Sequence, residues 1–281
     1  MPHSMRRGLL IAVVLAAFAA LAPAALATTQ TATSGGVTAT FSFSGKFPNY
    51  SKQHLTITRD GAVLYDHAVR SQACGKFCAP GATEPHASSV HVIDLDHTGE
   101  PNVVLDLFTG GAHCCSVEQL FTFNPGTMSY ATAERNFGDP GDRIEDLNHD
   151  GRFEFVTADD RFAYAFTDFA ASGLPLQILD FSGGRFTDVT DSYPALIRKD
   201  AANWLKAFKH LNHGHDIDSV GVIAAWAADE YRLGRVAAAN RYLSAQAAAG
   251  HLKTPLATTN AQGAKFVARL KRFLRRHGYG R

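Results

Sequence analysis

Hydrophobic residues recur at every second position through most of the first two thirds of the chain, the period of strands with one face buried. The alternation begins at Val37, where Phe41 and Phe43 stand among Thr and Ser, and continues through Leu55-Thr-Ile57 and Val63-Leu64-Tyr65 on either side of Asp60-Gly61. An Asp-Gly pair between two such runs predicts a hairpin with a tight turn. Further short runs follow at Val90–Ile93, Asn102–Phe108, Glu118–Phe123, Phe153–Val156, Phe162–Phe166 and Leu176–Leu179, separated by Gly, Pro, Asn and Asp. After Pro194 the period changes to that of a helix: Ile197, Ala201, Trp204, Leu205, Phe208 and Leu211 share one face. Asp218-Ser219 then caps a second helix, Gly234 separates it from a third ending at Gly250, and Phe266, Leu270, Phe273, Leu274 and His277 mark a fourth. The expected class is α+β, with an all-β domain over residues 37–193 and a helical region over 194–281.

The first residues read differently. Arg6 and Arg7 precede an uncharged apolar run, Leu9–Ala22, that Pro23 stops, and Ala25-Leu26-Ala27 supplies the small residues that signal peptidase accepts. Residues 1–27 are therefore expected to be a secretory signal peptide cleaved after Ala27. A retained membrane anchor needs about 20 apolar residues, which the run reaches only across Pro23. The destination is thus secreted or periplasmic, with no transmembrane anchor after cleavage. Residues 28–36, rich in Thr, Ser and Gly, offer little to bury and are expected to be a flexible lead-in.

Export changes how the cysteines are read. Cys74, Cys78, Cys114 and Cys115 form an even set bound for an oxidising compartment, so disulfides are expected. A bond between the adjacent Cys114 and Cys115 closes a strained ring, so cross-links from that pair to Cys74 and Cys78 are the favoured arrangement, with the vicinal bond and a zinc site as alternatives. The chain has 27 basic and 26 acidic residues, and the leader removes two of the former, so the total charge points to no nucleic acid. Locally, Lys265, Arg269, Lys271, Arg272, Arg275, Arg276 and Arg281 crowd the end of the chain without an acid. They offer a contact for an anionic surface, against the ordinary reading of a solvated helix face.

The strongest chemical signal is a pair of related segments, Asp94-Leu-Asp96-His-Thr98-Gly-Glu100-Pro-Asn102 and Asp146-Leu-Asn148-His-Asp150-Gly-Arg152-Phe-Glu154. Each puts oxygen-bearing side chains at positions 1, 3, 5 and 9 and glycine at 6. Alternating oxygens on a tight loop suit a hard cation such as Ca2+, which takes six to eight of them. A helix-loop-helix calcium hand is excluded, because its position-12 Glu would fall at Leu105 and Thr157. Asp/Asn-rich turns with no metal are the alternative.

Apolar residues on both sides make each loop a connection between strands, and here the chain resembles the FG-GAP or VCBS repeats of secreted β-propeller proteins. The resemblance covers residues 90–190 and includes Phe181–Thr190, similar to the hairpin that closes such a blade. It implies that Asp94, Asp96, Thr98 and Asn102, with the carbonyl of Glu100, would hold Ca2+ in the first loop. In the second it implies Asp146, Asn148, Asp150 and Glu154, with the carbonyl of Arg152. Thr98 replaces an acid at position 5, and Asn102 and Glu154 replace the usual Asp at position 9, so the first site is expected to be weaker. Two loops make a partial, propeller-like assembly, too few blades for a closed one.

Two other features carry possible chemistry. His210, His213, His215 and Asp216 could hold zinc or copper but lack helical spacing, and Gly110-Gly111-Ala112-His113 is a turn beside the vicinal cysteines. No nucleophile elbow, zincin helix or phosphate loop is present in the sequence. The expected function is a calcium-stabilised, non-catalytic binding or scaffold protein that meets an extracellular protein or glycan. The rival is a secreted hydrolase with its site where the two domains join, near His113 or His210–His215.

Overall fold

The computed structural model describes residues 27–75, 77–81, 88–212, 218–254 and 261–280, so all of the expected signal peptide except Ala27 lies outside the described residues. Thirteen strands among them form three antiparallel sheets, and four helices follow.

The first sheet is a meander of β1 (Ala27–Ser34), β2 (Val37–Lys46), β3 (Asn49–Arg59) and β4 (Ala62–Ala68). In β2 the buried Val37, Ala39, Phe41 and Phe43 alternate with half-exposed Thr and Ser, as a strand with one wet face requires. Asp60 and Gly61 both take positive φ, 49° and 83°, in the turn between β3 and β4, the conformation an Asp-Gly hairpin favours. The stretch read as a flexible lead-in is corrected by the structure. Ala27–Ser34 pairs with β2 along its whole length, from Ala27 opposite Ser44 to Ser34 opposite Val37. An edge strand needs hydrogen bonds on one side and little apolar surface, and threonine suits a pleated surface; Thr33 faces Thr38 with their hydroxyls 3.1 Å apart.

The second sheet contains β5 (Ala79–Pro80), β6 (Val90–Ile93), β7 (Asn102–Gly111), β8 (Cys114–Asn124) and β9 (Ser129–Gly138), with β5 and β6 both pairing to β7. The third is β10 (Arg143–Glu145), β11 (Glu154–Ala158), β12 (Leu176–Ser182) and β13 (Arg185–Asp188) in sequential order. The second sheet is the middle layer, which explains the unbroken apolar run at its centre. Val103, Leu105, Leu107, Val117 and Phe121 pack against Phe41, Leu55 and Ile57 of the first sheet. On the opposite face Val104, Leu120 and Phe137 pack against Phe155, Leu179 and Phe181 of the third. The sheets do not close into a propeller among the described residues.

The helices are α1 (Pro194–Asn212), α2 (Val220–Arg232), α3 (Val236–Ala248) and α4 (Gly263–Arg276). Pro194 opens α1 at a position where its missing N–H costs nothing. Every residue of α2 from Val220 to Asp229 is buried, as expected of a helix wrapped on all sides. Phe162–Phe166, expected to be a strand, instead forms a 3-10 turn at Asp160–Phe162 followed by further turns. Phe162 and Phe166 are four residues apart and both enter the helical core, touching Phe273 at ring-centroid distances of 4.9 and 5.1 Å. The connector between β11 and β12 therefore belongs to the helical packing. Polar bonds reinforce the joint: Arg269 donates to the Ala165 carbonyl at 2.6 Å, Tyr279 Oη to Asp159 at 2.7 Å, and Arg232 to Asp188 and Asp191 at 2.8 and 2.9 Å. Among the described residues no helix is long and apolar enough to cross a membrane.

Candidate functional site

Both acidic loops link the first and second strands of their units, β6 to β7 and β10 to β11, and share one backbone path. His97 and His149 at position 4 have φ of 55° and 60°, and Gly99 and Gly151 at position 6 have φ of 81° and 87°. In the first loop Asp94 accepts the Thr98 and Gly99 N–H groups at 3.0 and 2.7 Å, one on each oxygen. In the second, Asp146 accepts those of Asp150 and Gly151 at 3.2 and 3.0 Å in the same way. The sequence repeat is therefore a structural repeat. Each carboxylate oxygen keeps a further lone pair for another partner.

The remaining predicted ligands fall into two groups. Asp96 accepts from the Thr98 hydroxyl at 2.9 Å, and Asp150 accepts from the Asn148 amide at 2.8 Å and the Arg152 N–H at 2.9 Å. The Arg152 N–H leads the contacts that hold Asp150 below the usual carboxylate range. Position 9 is buried in both loops. Asn102 donates to Thr122 at 3.0 Å, while its side-chain oxygen is buried without a hydrogen-bond partner. Glu154 accepts the Leu147 N–H at 3.1 Å and a hydrogen bond from Tyr193. The Glu100 side chain is turned to Arg59 and that of Arg152 to Asp180, the latter at 2.9 Å, which leaves each residue's carbonyl as its only oxygen for a ligand in the loop. Among the described residues no three His, Cys, Asp or Glu side chains gather as a metal cluster.

The loops also touch each other, which the sequence did not reveal. The Phe153 N–H donates to the Leu95 carbonyl at 2.9 Å. A Cβ at Gly151 would stand 2.6 Å from Nδ1 of His97, so the second loop needs glycine there for the neighbour as well as for its own φ. The pair forms one corner between the second and third sheets, with Leu95 buried beneath it.

A second constellation escaped sequence reading. Asp106 of β7, Glu118 of β8 and Asp142 beyond β9 line one cleft of about 630 Å3 with His91, Asp139, Phe108, Pro140 and the vicinal cysteines. His91 Nε2 lies 3.2 Å from Asp106, and this hydrogen bond raises the imidazole pKa. Glu118 is only 4% exposed and hydrogen-bonds to the acids Asp106 and Asp142, but neither its Oε2 nor the buried Oδ1 of Asp142 receives a bond from a protein N–H or hydroxyl. Burial, followed by the Asp106 and Asp142 carboxylates, holds Glu118 well above the usual range. Asp142 is pushed up to about 7, first by burial and then by Asp106. Pairing in the register Asp106 opposite Glu118 brings two of these acids together. Each sits singly in an apolar strand, so no local motif announces them.

The cysteine arrangement departs from expectation. Cys74 pairs with Cys78 and Cys114 with Cys115, at Cα separations of 5.1 and 3.1 Å. Each pair closes within its own turn, and Phe77 N–H bonding to the Cys74 carbonyl folds the first turn back on itself. His113 is exposed and lies against Phe169, ring centroids 4.3 Å apart. His210 is exposed on α1, whereas His213, His215 and Asp216 lie outside the described residues.

Residues 197–278, from α1 through α4, match the family model described as the sll0997 C-terminal domain. The chain is similar to the probable thylakoid lumen protein sll0997 of Synechocystis sp., 31% identical over 151 residues that make up 52% of this chain and 44% of that protein. It is also similar to the uncharacterized protein y4bJ of Sinorhizobium fredii, 29% identical over 155 residues, 53% of this chain and 23% of that one. The chain thus aligns with less than half the length of either relative. No solved structure matches it.

Proposed function

We propose that the protein is an extracytoplasmic, calcium-stabilised binding or scaffold module of FG-GAP-like architecture, in which the loop corner fixes the second and third sheets against each other. The observation carrying this reading is the shared path of the two loops, each wound by an aspartate accepting two backbone N–H groups. Each loop opens a run of antiparallel strands, β6 to β9 and β10 to β13, as successive partial blades would.

The buried, unpartnered Asn102 oxygen fits a cation, since an oxygen removed from water without a donor costs free energy until something positive meets it. Asp94, Asp96, Thr98, Asn102 and the Glu100 carbonyl would hold calcium in the first loop, and Asp146, Asn148, Asp150, Glu154 and the Arg152 carbonyl in the second. The ion would supply charge neutralisation and cross-linking. Export agrees with the leader-like residues 1–27 and with the thylakoid-lumen description of the Synechocystis relative. The ligand would be an extracellular protein or glycan, and the basic face of α4 offers an additional contact for anionic surfaces.

Calcium titration of the protein tests this. At 5 mM ion and a Kd of 10⁻⁴–10⁻³ M, stabilisation should be about 1–2 kcal/mol, reversed by chelator. Asp146→Ala should abolish more of the gain than Asp94→Ala. A melting temperature indifferent to calcium would remove the metal from this reading.

A further inference from the structure

The acidic cleft lies apart from the loop residues assigned to calcium, and its chemistry is unusually one-sided. Among the described residues, four acids, Asp106, Glu118, Asp139 and Asp142, face it, no Lys or Arg lines it, and the one basic side chain on its wall is His91, already bonded to Asp106. Surface acids of this kind are ordinarily solvated, but Glu118 is 4% exposed, its partners in the cleft are the acids Asp106 and Asp142, and its Oε2 receives no bond from a protein N–H or hydroxyl. A buried acid whose hydrogen-bond partners are only other acids is costly to ionise, and a fold that keeps one needs a reason. The backbone is shaped around the group: a Cβ at Gly81 would stand 2.7–2.8 Å from Asp106 atoms, so the chain passes closer over Asp106 than any other residue would permit.

We infer that this cleft binds a primary alkylammonium group, the head of a diamine or of a lysine side chain, with Glu118 and Asp142 as its hydrogen-bond acceptors. Glu118 and Asp142 are bonded only to acids, and Oε2 and Oδ1 receive no bond from a protein N–H or hydroxyl, so they call for a cation that donates hydrogen bonds. Three N–H donors at about 2.8 Å reach oxygens spread wider than a metal's coordination sphere tolerates, and these acids do not gather tightly enough to form a metal cluster. Phe108, Pro140 and the Cys114–Cys115 disulfide supply an apolar wall for the methylene stem, and the volume of about 630 Å3 suits a small organic ligand. Asp142, pushed up to about 7 by burial and Asp106 against the pull of Arg135, still holds part of its proton in the free protein at neutral pH, so the ammonium displaces a proton as it binds, and affinity rises between pH 6 and pH 8.5.

The test is calorimetric titration with 1,5-diaminopentane and with Nα-acetyl-lysinamide, in millimolar calcium so that the loops are served. Wild type should bind at least one of them, more tightly at pH 8.5 than at pH 6. The diamine alone binding would identify a free amine as the source, and the lysinamide binding a peptide side chain. Glu118→Gln and Asp142→Asn, near-isosteric and neutral, should each weaken binding at least about tenfold, the worth of a charged hydrogen bond, while their melting temperatures show the fold retained. No saturable binding of either amine up to 10 mM, using about 1 mM as the weak end of specific affinity, would overturn the assignment. So would equal affinity in both variants, or displacement of the amine by a further excess of calcium.

Discussion

Asp229 is wholly buried in α2, and neither of its carboxylate oxygens receives a hydrogen bond from a protein donor. Asp200 of α1 is its neighbour, and Asp200 itself accepts the Leu176 N–H and the Trp204 indole N–H, each at 2.9 Å. Burial, then the Asp200 charge, pushes the Asp229 pKa up to about 10. At neutral pH Asp229 is therefore protonated and donates to Asp200. An unfolded Asp ionises near 3.9, so unfolding releases this proton anywhere between pH 4 and pH 10. A folded-state pKa raised above the unfolded one means the contribution is full below pH 4 and is lost as pH rises through that window. The slope for one proton is about 1.4 kcal/mol per pH unit, or about 4 kcal/mol between pH 4 and pH 7. Asp229→Asn keeps a donor toward Asp200 and removes the titration. In urea unfolding from pH 5 to pH 9, the variant's stability relative to wild type should climb by about 1.4 kcal/mol per unit and exceed wild type by about 2 kcal/mol or more at pH 8. A stability difference that stays flat across that range would show that Asp229 is not held protonated and would refute the reasoning.

Other substitutions probe the joints of the molecule. Arg232, 11% exposed at its side chain and paired with Asp188 and Asp191, ties α2 to the third sheet; Arg232→Ala should cost about 3 kcal/mol in urea unfolding, because it strands a partly buried acid. Gly151→Ala meets both the φ of 87° and His97, and should lower stability by about 1–3 kcal/mol; adding His97→Ala should recover the steric part, and equal losses with and without His97 would deny the close approach of Gly151 to His97. Phe166→Ala should cost about 3–5 kcal/mol, with hydrogen exchange accelerating first in α4, whose Phe266 and Phe273 it touches.

Much of the architecture was legible because it depends on local periodicity. Strands β2, β3 and β4 of the first sheet, the Asp60-Gly61 hairpin, the change of regime at Pro194 and the four helices all follow from spacing and capping that neighbouring residues decide. The equivalence of the two loops was visible for the same reason, since identical positions of Asp and Gly wind the backbone identically. β1 was missed because an edge strand buries almost nothing, so its pairing leaves no apolar signature. Phe162–Phe166 was misread because a five-residue run with aromatics at both ends fits a strand or a turn, and only the helical core decides between them. The cysteine pairing went the other way, since turn geometry at each pair outweighed the preference for unstrained long-range links.

The sequence by itself determined most of the strands, the four helices, and which two loops carry paired oxygens, because those properties are written within a few residues of each other. Tertiary structure alone decided that the loops meet at one corner, that α2 is enclosed, and that Asp106, Glu118 and Asp142 face one another across a cleft. Those facts depend on strand register and on the order in which sheets stack. Both are set by burial summed over the whole chain, so no short window of residues contains them.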